Sequence, residues 1–72
     1  MIESTIYVRL LDEDVDVWRP VEADRLEQGV YRIGDQSVPD DERWEFGPGA
    51  SVVVESKELD EGLTLVAVRR AK

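Results

Sequence analysis

The sequence contains no cysteine and no histidine, and each absence removes a class of function. Without cysteine, neither a disulfide nor a thiolate site is possible. Without histidine, the chain lacks the commonest metal ligand and the usual acid–base residue of active sites. Long apolar runs are also missing, so no segment can span a bilayer as a helix. We therefore predict neither a metal site nor a cofactor.

Positive charge is scarce as well. The 72 residues carry 17 Asp and Glu against 9 Lys and Arg, a formal net charge of −8. This charge repels phosphate groups, which disfavours binding to nucleic acid and to anionic membranes. The first residues lack the basic start and apolar core of a secretory signal, so we expect a cytoplasmic protein. The length predicts one domain, residues 1–72, as a monomer or a weak homodimer.

The sequence does contain short runs in which apolar and polar residues alternate. Ser4–Leu11 is rich in β-branched and aromatic residues and has its apolar side chains at every second position, the pattern of a half-buried strand. Turns rich in Gly, Pro and acids separate it from similar runs at Val15–Ala23, Gly29–Ile33, Ala50–Ser56 and Leu63–Arg70. The short stretch Trp44-Glu45-Phe46 also alternates, which puts both rings on one side. We predict an all-β fold, a small five-stranded SH3-like barrel or a strongly bent antiparallel meander, with at most one short helical turn.

The interior of such a domain is thin, so most of its apolar residues are needed in it. The predicted core residues are Ile6, Val8, Leu10, Val15, Val17, Val21, Ala23, Leu26, Tyr31, Ile33, Trp44, Phe46, Val52, Val54, Leu63, Leu65, Ala67 and Val68.

The segment 15–29 allows two interpretations. As a strand, it would be extended to Ala23, with Pro20 at an edge or bulge where no ladder donor is lost, and 24–29 would be a turn. As a helix, Pro20 would open two turns that have acids near the start and Gly29 past the end. We favour the strand because Val21, Ala23 and Leu26 do not form a clean helical stripe.

Alternate acids at Asp12, Asp14 and Asp16 match the start of an EF-hand calcium loop. The sixth position of that loop requires glycine and the twelfth a bidentate glutamate, but the chain has Val17 and Ala23 there. We therefore interpret the run as a solvated acidic turn.

Catalytic motifs are weak. With no histidine, only Lys57 or Lys72 could activate a hydroxyl nucleophile, and both are expected in charged turns or at the end of the chain. The turn Gly47-Pro48-Gly49 lacks the lysine and the following helix of a phosphate-binding loop. Because the many acids are expected to be solvated, we predict that the chain is not an enzyme.

Three elements carry a resemblance: the V-W-R-P-V element within residues 15–23, Tyr31-Arg32-Ile33, and W-E-F-G-P-G at 44–49 followed by Val52-Val53-Val54. They are similar to a group of short uncharacterised bacterial proteins that share the V-W-R-P-V and W-E-F-x-P-G elements. The resemblance covers most of the chain and implies a compact β domain. It implies no activity and brings no catalytic or binding residue.

The aromatic residues are the better functional candidates. Trp18 is out of phase with Val17 and Val21, so in a regular strand it faces away from the core, whereas a bulge at Pro20 would bury it. An exposed Trp18 beside Arg19 would be an interaction anchor. The predicted binding surface consists of Tyr7, Asp14, Asp16, Trp18 and Arg19.

These residues predict a non-enzymatic protein-interaction module whose aromatic surface is rimmed by acids and favours a basic protein or peptide. One alternative is an acidic decoy of nucleic acid, which would need its acids on one face; the interleaved arginines argue against it. The last alternative is a hydrolase, which would need two acids in one concave pocket, one with a raised pKa.

Overall fold

The computed structural model describes residues 3–11, 17–59 and 62–71. Within these ranges the chain forms five strands and no helix, which confirms the predicted all-β fold. The strands are β1 (Glu3–Arg9), β2 (Trp18–Glu27), β3 (Val30–Ile33), β4 (Ser51–Leu59) and β5 (Gly62–Arg70).

The sheet closes on itself. Consecutive strands pair antiparallel from β1 to β5, and β5 then pairs with β1 through Val66 and Tyr7. This last pair is parallel because four successive reversals leave β5 running in the same direction as β1. The predicted meander is therefore a closed up-and-down barrel, and closure pairs the edges that β1 and β5 would otherwise expose.

Side chains that point into the barrel form one continuous core. On β1, Ile6 and Val8 are fully buried, while the neighbouring Thr5 and Arg9 are exposed. This period of two confirms the predicted alternation. The other members of the cluster are Leu10, Val21, Ala23, Tyr31, Ile33, Trp44, Phe46, Val52, Val54 and Ala67.

The segment around Pro20 is a strand, as we favoured. β2 pairs with β3 only from Ala23 onward, so Pro20 has a strand on one side only within the described chain. Glu22 turns its backbone polar groups to the other side, where its N–H donates to Gln36 Oε1 at 3.3 Å and its carbonyl accepts from Gln36 Nε2 at 3.0 Å. Two residues earlier, Pro20 presents its nitrogen to that same side and costs the ladder no hydrogen bond.

β2 is longer than expected. It runs through Glu27, whereas the sequence predicted a turn from 24 to 29, and only Gln28 and Gly29 turn the chain. The prediction was wrong because pairing with β3 holds polar residues such as Asp24 in a strand despite their low propensity. Gly29 has φ of 80°, a conformation that glycine adopts without strain.

Two β-bulges interrupt the ladders. The register between β2 and β3 shifts at Leu26, and the register between β4 and β5 shifts at Val68; neither residue has a partner there. Both were predicted to lie in the core, but Leu26 is 54% exposed and Val68 is 38% exposed. The predictions were wrong because both residues are out of phase with the inward positions, Leu26 with Val21 and Ala23 and Val68 with Ala67, so alternation itself places them on the outer face.

The core prediction was also wrong for Leu63, which is 80% exposed near the end of the β4–β5 hairpin. Among the described residues, Leu63 neither belongs to the core cluster nor packs against it. Val15, another predicted core residue, lies outside the described residues.

The loop from 34 to 50 closes one end of the barrel. Glu45 N–H donates to the Arg9 carbonyl at 2.9 Å, and Leu10 forms an isolated bridge with Trp44. This pairing carries Trp44 and Phe46 into the core, as predicted, with exposures of 9% and 7%. The loop contains turns and no helical turn.

Candidate functional site

Trp18 opens β2 on the outer surface of the barrel. Val21, three residues along the strand, points into the core, so alternation places Trp18 on the opposite face. Trp18 lies outside the core cluster and is half-buried. The sequence allowed either an exposed or a buried Trp18, and the observed burial of its side chain is intermediate.

A groove of about 220 Å³ lies beside the Trp18 ring, and we call it the Trp18 groove. Arg9 is the register partner of Trp18 on β1, and Glu45 is held nearby by its hydrogen bond to the Arg9 carbonyl. β4 and β5 supply the other side. The lining residues are Arg9, Trp18, Glu45, Lys57, Ala67 and Val68.

A cation already occupies one face of the Trp18 ring. Lys57, an exposed residue of β4, places its Nζ 5.1 Å from the ring centroid. At an exposed site such a contact is worth about 0.5–1 kcal/mol. This energy is small enough for a cation of another molecule to compete for the same face.

Tyr7, another predicted site residue, lies on the same outer face. It pairs with Pro20, two residues from Trp18, and with Val66 on β5. Val66 is 2% exposed but is not part of the core cluster that holds its neighbour Ala67. Since alternation directs Val66 outward, side chains on the outer face must cover it. Tyr7 therefore lies beside a covered apolar residue on the outer face.

Arg19 does not line the Trp18 groove. Its Nη1 lies 3.5 Å from Glu42 Oε2, and Glu42 Oε1 accepts a hydrogen bond from Trp44 Nε1 at 3.0 Å. Arg19 thus helps to hold Glu42, the loop residue that accepts the hydrogen bond from the buried indole of Trp44. The structure separates the two adjacent residues, Trp18 and Arg19, that the sequence placed in one site.

The acidic members of the predicted surface, Asp14 and Asp16, lie outside the described residues, as does Asp12 of the calcium-loop comparison. In the part of the chain that the structure describes, no group of three or more acidic side chains could hold a metal ion.

Sequence reasoning missed Glu45, Lys57 and Val68 as neighbours of Trp18. Lys57 was considered only as a general base, and Val68 only as a core residue. Since each of the three comes from a different part of the chain, no local pattern in the sequence could have connected them.

Comparisons with protein-family models, with curated protein sequences and with solved structures found no significant match. The similarity to short bacterial proteins stays a prediction. Among the described residues, no helix is long and apolar enough to cross a membrane.

Proposed function

We propose that this chain is a non-enzymatic protein-interaction module whose Trp18 groove binds a basic segment of a partner protein. The observation that carries the proposal is the Lys57 ammonium, 5.1 Å from the centroid of the Trp18 ring. A ring that holds a cation of its own chain can hold a lysine or arginine of another chain in the same way.

The charge of the molecule supports a basic partner. The net charge of −8 attracts cations before contact and speeds association. Within the groove, Glu45 offers a carboxylate to an incoming guanidinium. Because Arg9 also lines the groove, the local charge there is mixed. The attraction for a basic partner therefore comes from the net charge of the whole molecule. The sequence adds Asp14 and Asp16, four and two positions before Trp18, as further acids that we propose for the binding surface.

The size of the groove favours a single side chain over a metabolite. Sites that enclose small ligands usually measure about 300–1,000 Å³. The Trp18 groove, at about 220 Å³, is smaller. A half-buried tryptophan beside a shallow groove is typical of a protein-binding anchor.

We also propose that the barrel is of the SH3-like type, with five bent strands in sequential order. In such barrels, aromatic side chains on one rim bind extended peptides, and nearby acids pair with basic ligand residues. The proposal includes a cytoplasmic location and a monomer or weak homodimer, with no nucleic-acid or membrane partner.

The two alternatives have weaker support. A nucleic-acid decoy needs its acids on one face, but the register of β2 and β3 sets Asp24 opposite Arg32. A hydrolase needs two sheltered carboxylates. One hollow does bring Glu22, Asp24 and Asp35 together around Arg32, but Glu22 and Asp35 are exposed to water.

The test is an NMR titration of ¹⁵N-labelled protein with capped penta-arginine and, separately, capped penta-glutamate. The chain has two tryptophans, so it gives two indole N–H signals, which Trp18→Phe assigns. We expect penta-arginine to shift the Trp18 signal while the buried Trp44 signal stays in place. Trp18→Ala should weaken binding about tenfold.

The matched control is Leu63→Ala, which changes an exposed apolar residue outside the groove and should bind penta-arginine as the native chain does. The proposal fails if Trp18→Ala, with its backbone spectrum preserved, binds penta-arginine with unchanged affinity. That result would mean that only the diffuse negative charge attracts the peptide.

A further inference from the structure

A second groove, of about 470 Å³, crosses the outer surface of β2 to β5, and we call it the Leu26 groove. Its floor is a row of side chains in register. Val30 on β3 pairs with Val53 on β4, and Val53 pairs with Arg69 on β5. Leu26 lies at the β2 end, so the row is apolar at one end and cationic at the other.

Leu26 lies at the bulge between β2 and β3. It has no partner in the ladder between β2 and β3 and is 54% exposed. Bulges often re-aim a side chain beside a functional site. At this bulge Leu26 adds a large apolar side chain to the lining of a groove that Val30 and Val53 already make apolar.

Arg69 forms no ion pair in the described part of the chain, although the sequence holds 17 acidic residues. Glu27 lines the same groove and does not pair with it. The neighbouring Arg70 lies with its guanidinium carbon 5.9 Å from the centroid of the Phe46 ring. The guanidinium of Arg69, unpaired within the described residues, is therefore complementary to a carboxylate, which arginine binds through two parallel hydrogen bonds.

We propose that the Leu26 groove binds an extended peptide segment that carries a carboxylate about four residues from a leucine-sized side chain. Three inter-strand steps of about 4.8 Å separate β2 from β5, or roughly 14 Å. An extended chain covers that distance in about four residues, at roughly 3.3 Å each. The carboxylate pairs with Arg69 and the apolar side chain contacts Leu26 and Val30.

The lining favours a peptide over a fatty acid, which also combines a carboxylate with apolar surface. Ser51 and Glu27 interrupt the apolar residues, so polar backbone groups of a peptide find partners that a hydrocarbon chain does not need. This site has the opposite ligand charge to the Trp18 groove, and it does not depend on the function proposed for that groove.

The experiment is an NMR titration of the full-length protein with the capped peptide Leu-Ser-Thr-Ser-Glu, which has the required spacing. The same peptide with glutamine in place of glutamate removes the charge, and octanoate represents the fatty acid. Arg69→Gln and Leu26→Ala change the two ends of the groove. Their matched controls are Arg25→Gln and Leu63→Ala, exposed residues that do not line it.

We expect the peptide to shift the backbone signals of Val30 and Val53. The glutamine peptide, Arg69→Gln and Leu26→Ala should each weaken binding by about fivefold or more, while the two controls leave it unchanged. The proposal is overturned if the peptide shifts no groove signal, if Arg69→Gln and Arg25→Gln weaken binding equally, or if octanoate binds as tightly as the peptide.

Discussion

The Trp18 groove and the Leu26 groove are built in the same way but differ in what they hold. Each contains an apolar residue that lies unpaired at a β-bulge, Val68 in one and Leu26 in the other. In the Trp18 groove the cation Lys57 already lies over the ring. In the Leu26 groove Arg69 has no ion pair within the described chain.

The difference shows how one small barrel can offer two surfaces of different chemistry. Successive residues at the end of β5 and just beyond it line both grooves, Ala67–Val68 in the first and Arg69–Ala71 in the second. The first has a volume of about 220 Å³ and the second about 470 Å³. A bulge turns a side chain outward without removing the strand, so a closed sheet gains binding surface while its core stays intact.

The largest effect should come from Trp44→Ala, because both grooves lie on the outer surface of strands that pack around the same hydrophobic core. Losing this buried ring should lower the free energy of unfolding by about 3–5 kcal/mol. Trp18 then remains as the only tryptophan, so urea unfolding followed by its fluorescence reports on the Trp18 groove. Backbone NMR signals of Val53 report on the other groove. If the two probes unfold at different urea concentrations, the grooves belong to separately stable regions.

Deleting Leu26 should remove one groove and spare the other. The pairs Arg25–Tyr31 and Glu27–Val30 then fall into one regular register, so we expect β2 and β3 to stay paired. The Leu-Ser-Thr-Ser-Glu peptide should lose its binding, while penta-arginine still shifts the Trp18 indole signal. Loss of both interactions in a protein that keeps its native backbone spectrum would show that the two grooves are not independent.

Replacing Lys57 with glutamine should leave the face of the Trp18 ring unoccupied, because the ammonium that now lies over it is removed. Each groove would then present a binding group that no residue of the described chain occupies. Since the contact is worth about 0.5–1 kcal/mol, penta-arginine should bind roughly two- to fivefold more tightly. NMR titration measures the change, and Glu58→Gln is the control on the same strand. Weaker binding by Lys57→Gln would indicate that Lys57 helps to hold the ligand.

The smallest effect is expected at Leu63, the third exposed large apolar residue of the described chain. It lies in neither groove. Leu63→Ala should change the free energy of unfolding by no more than about 0.5 kcal/mol and leave both titrations unchanged. Urea unfolding and the two NMR titrations measure this. A clear loss of either interaction would extend the corresponding surface to the β4–β5 hairpin.

Much of the fold could be predicted from local pattern. The alternation of Ile6, Val8 and Leu10 predicted a strand with one buried face, and the structure confirms it. Pro20 was predicted to sit where no ladder donor is lost, and β2 places it there. These predictions succeeded because they depend on neighbouring residues and on the geometry of a single strand.

The site could be predicted only in part. The structure keeps Trp18 and Tyr7 on one outer face but turns Arg19 toward Glu42. Lys57 reaches Trp18 from a strand that is far away in the sequence. Such contacts depend on how strands join around the barrel, and no local pattern contains that information.

The sequence by itself determined that the fold is all-β, that acidic residues outnumber basic ones, and that histidine and cysteine chemistry is excluded. Those conclusions follow from composition and from a period of two, which are properties of single residues and their neighbours. Only the tertiary structure decided where the sheet closes, where each bulge falls and which cation meets which ring. A bulge arises because two strands must fit each other along their whole length, so its position is a property of the assembled sheet.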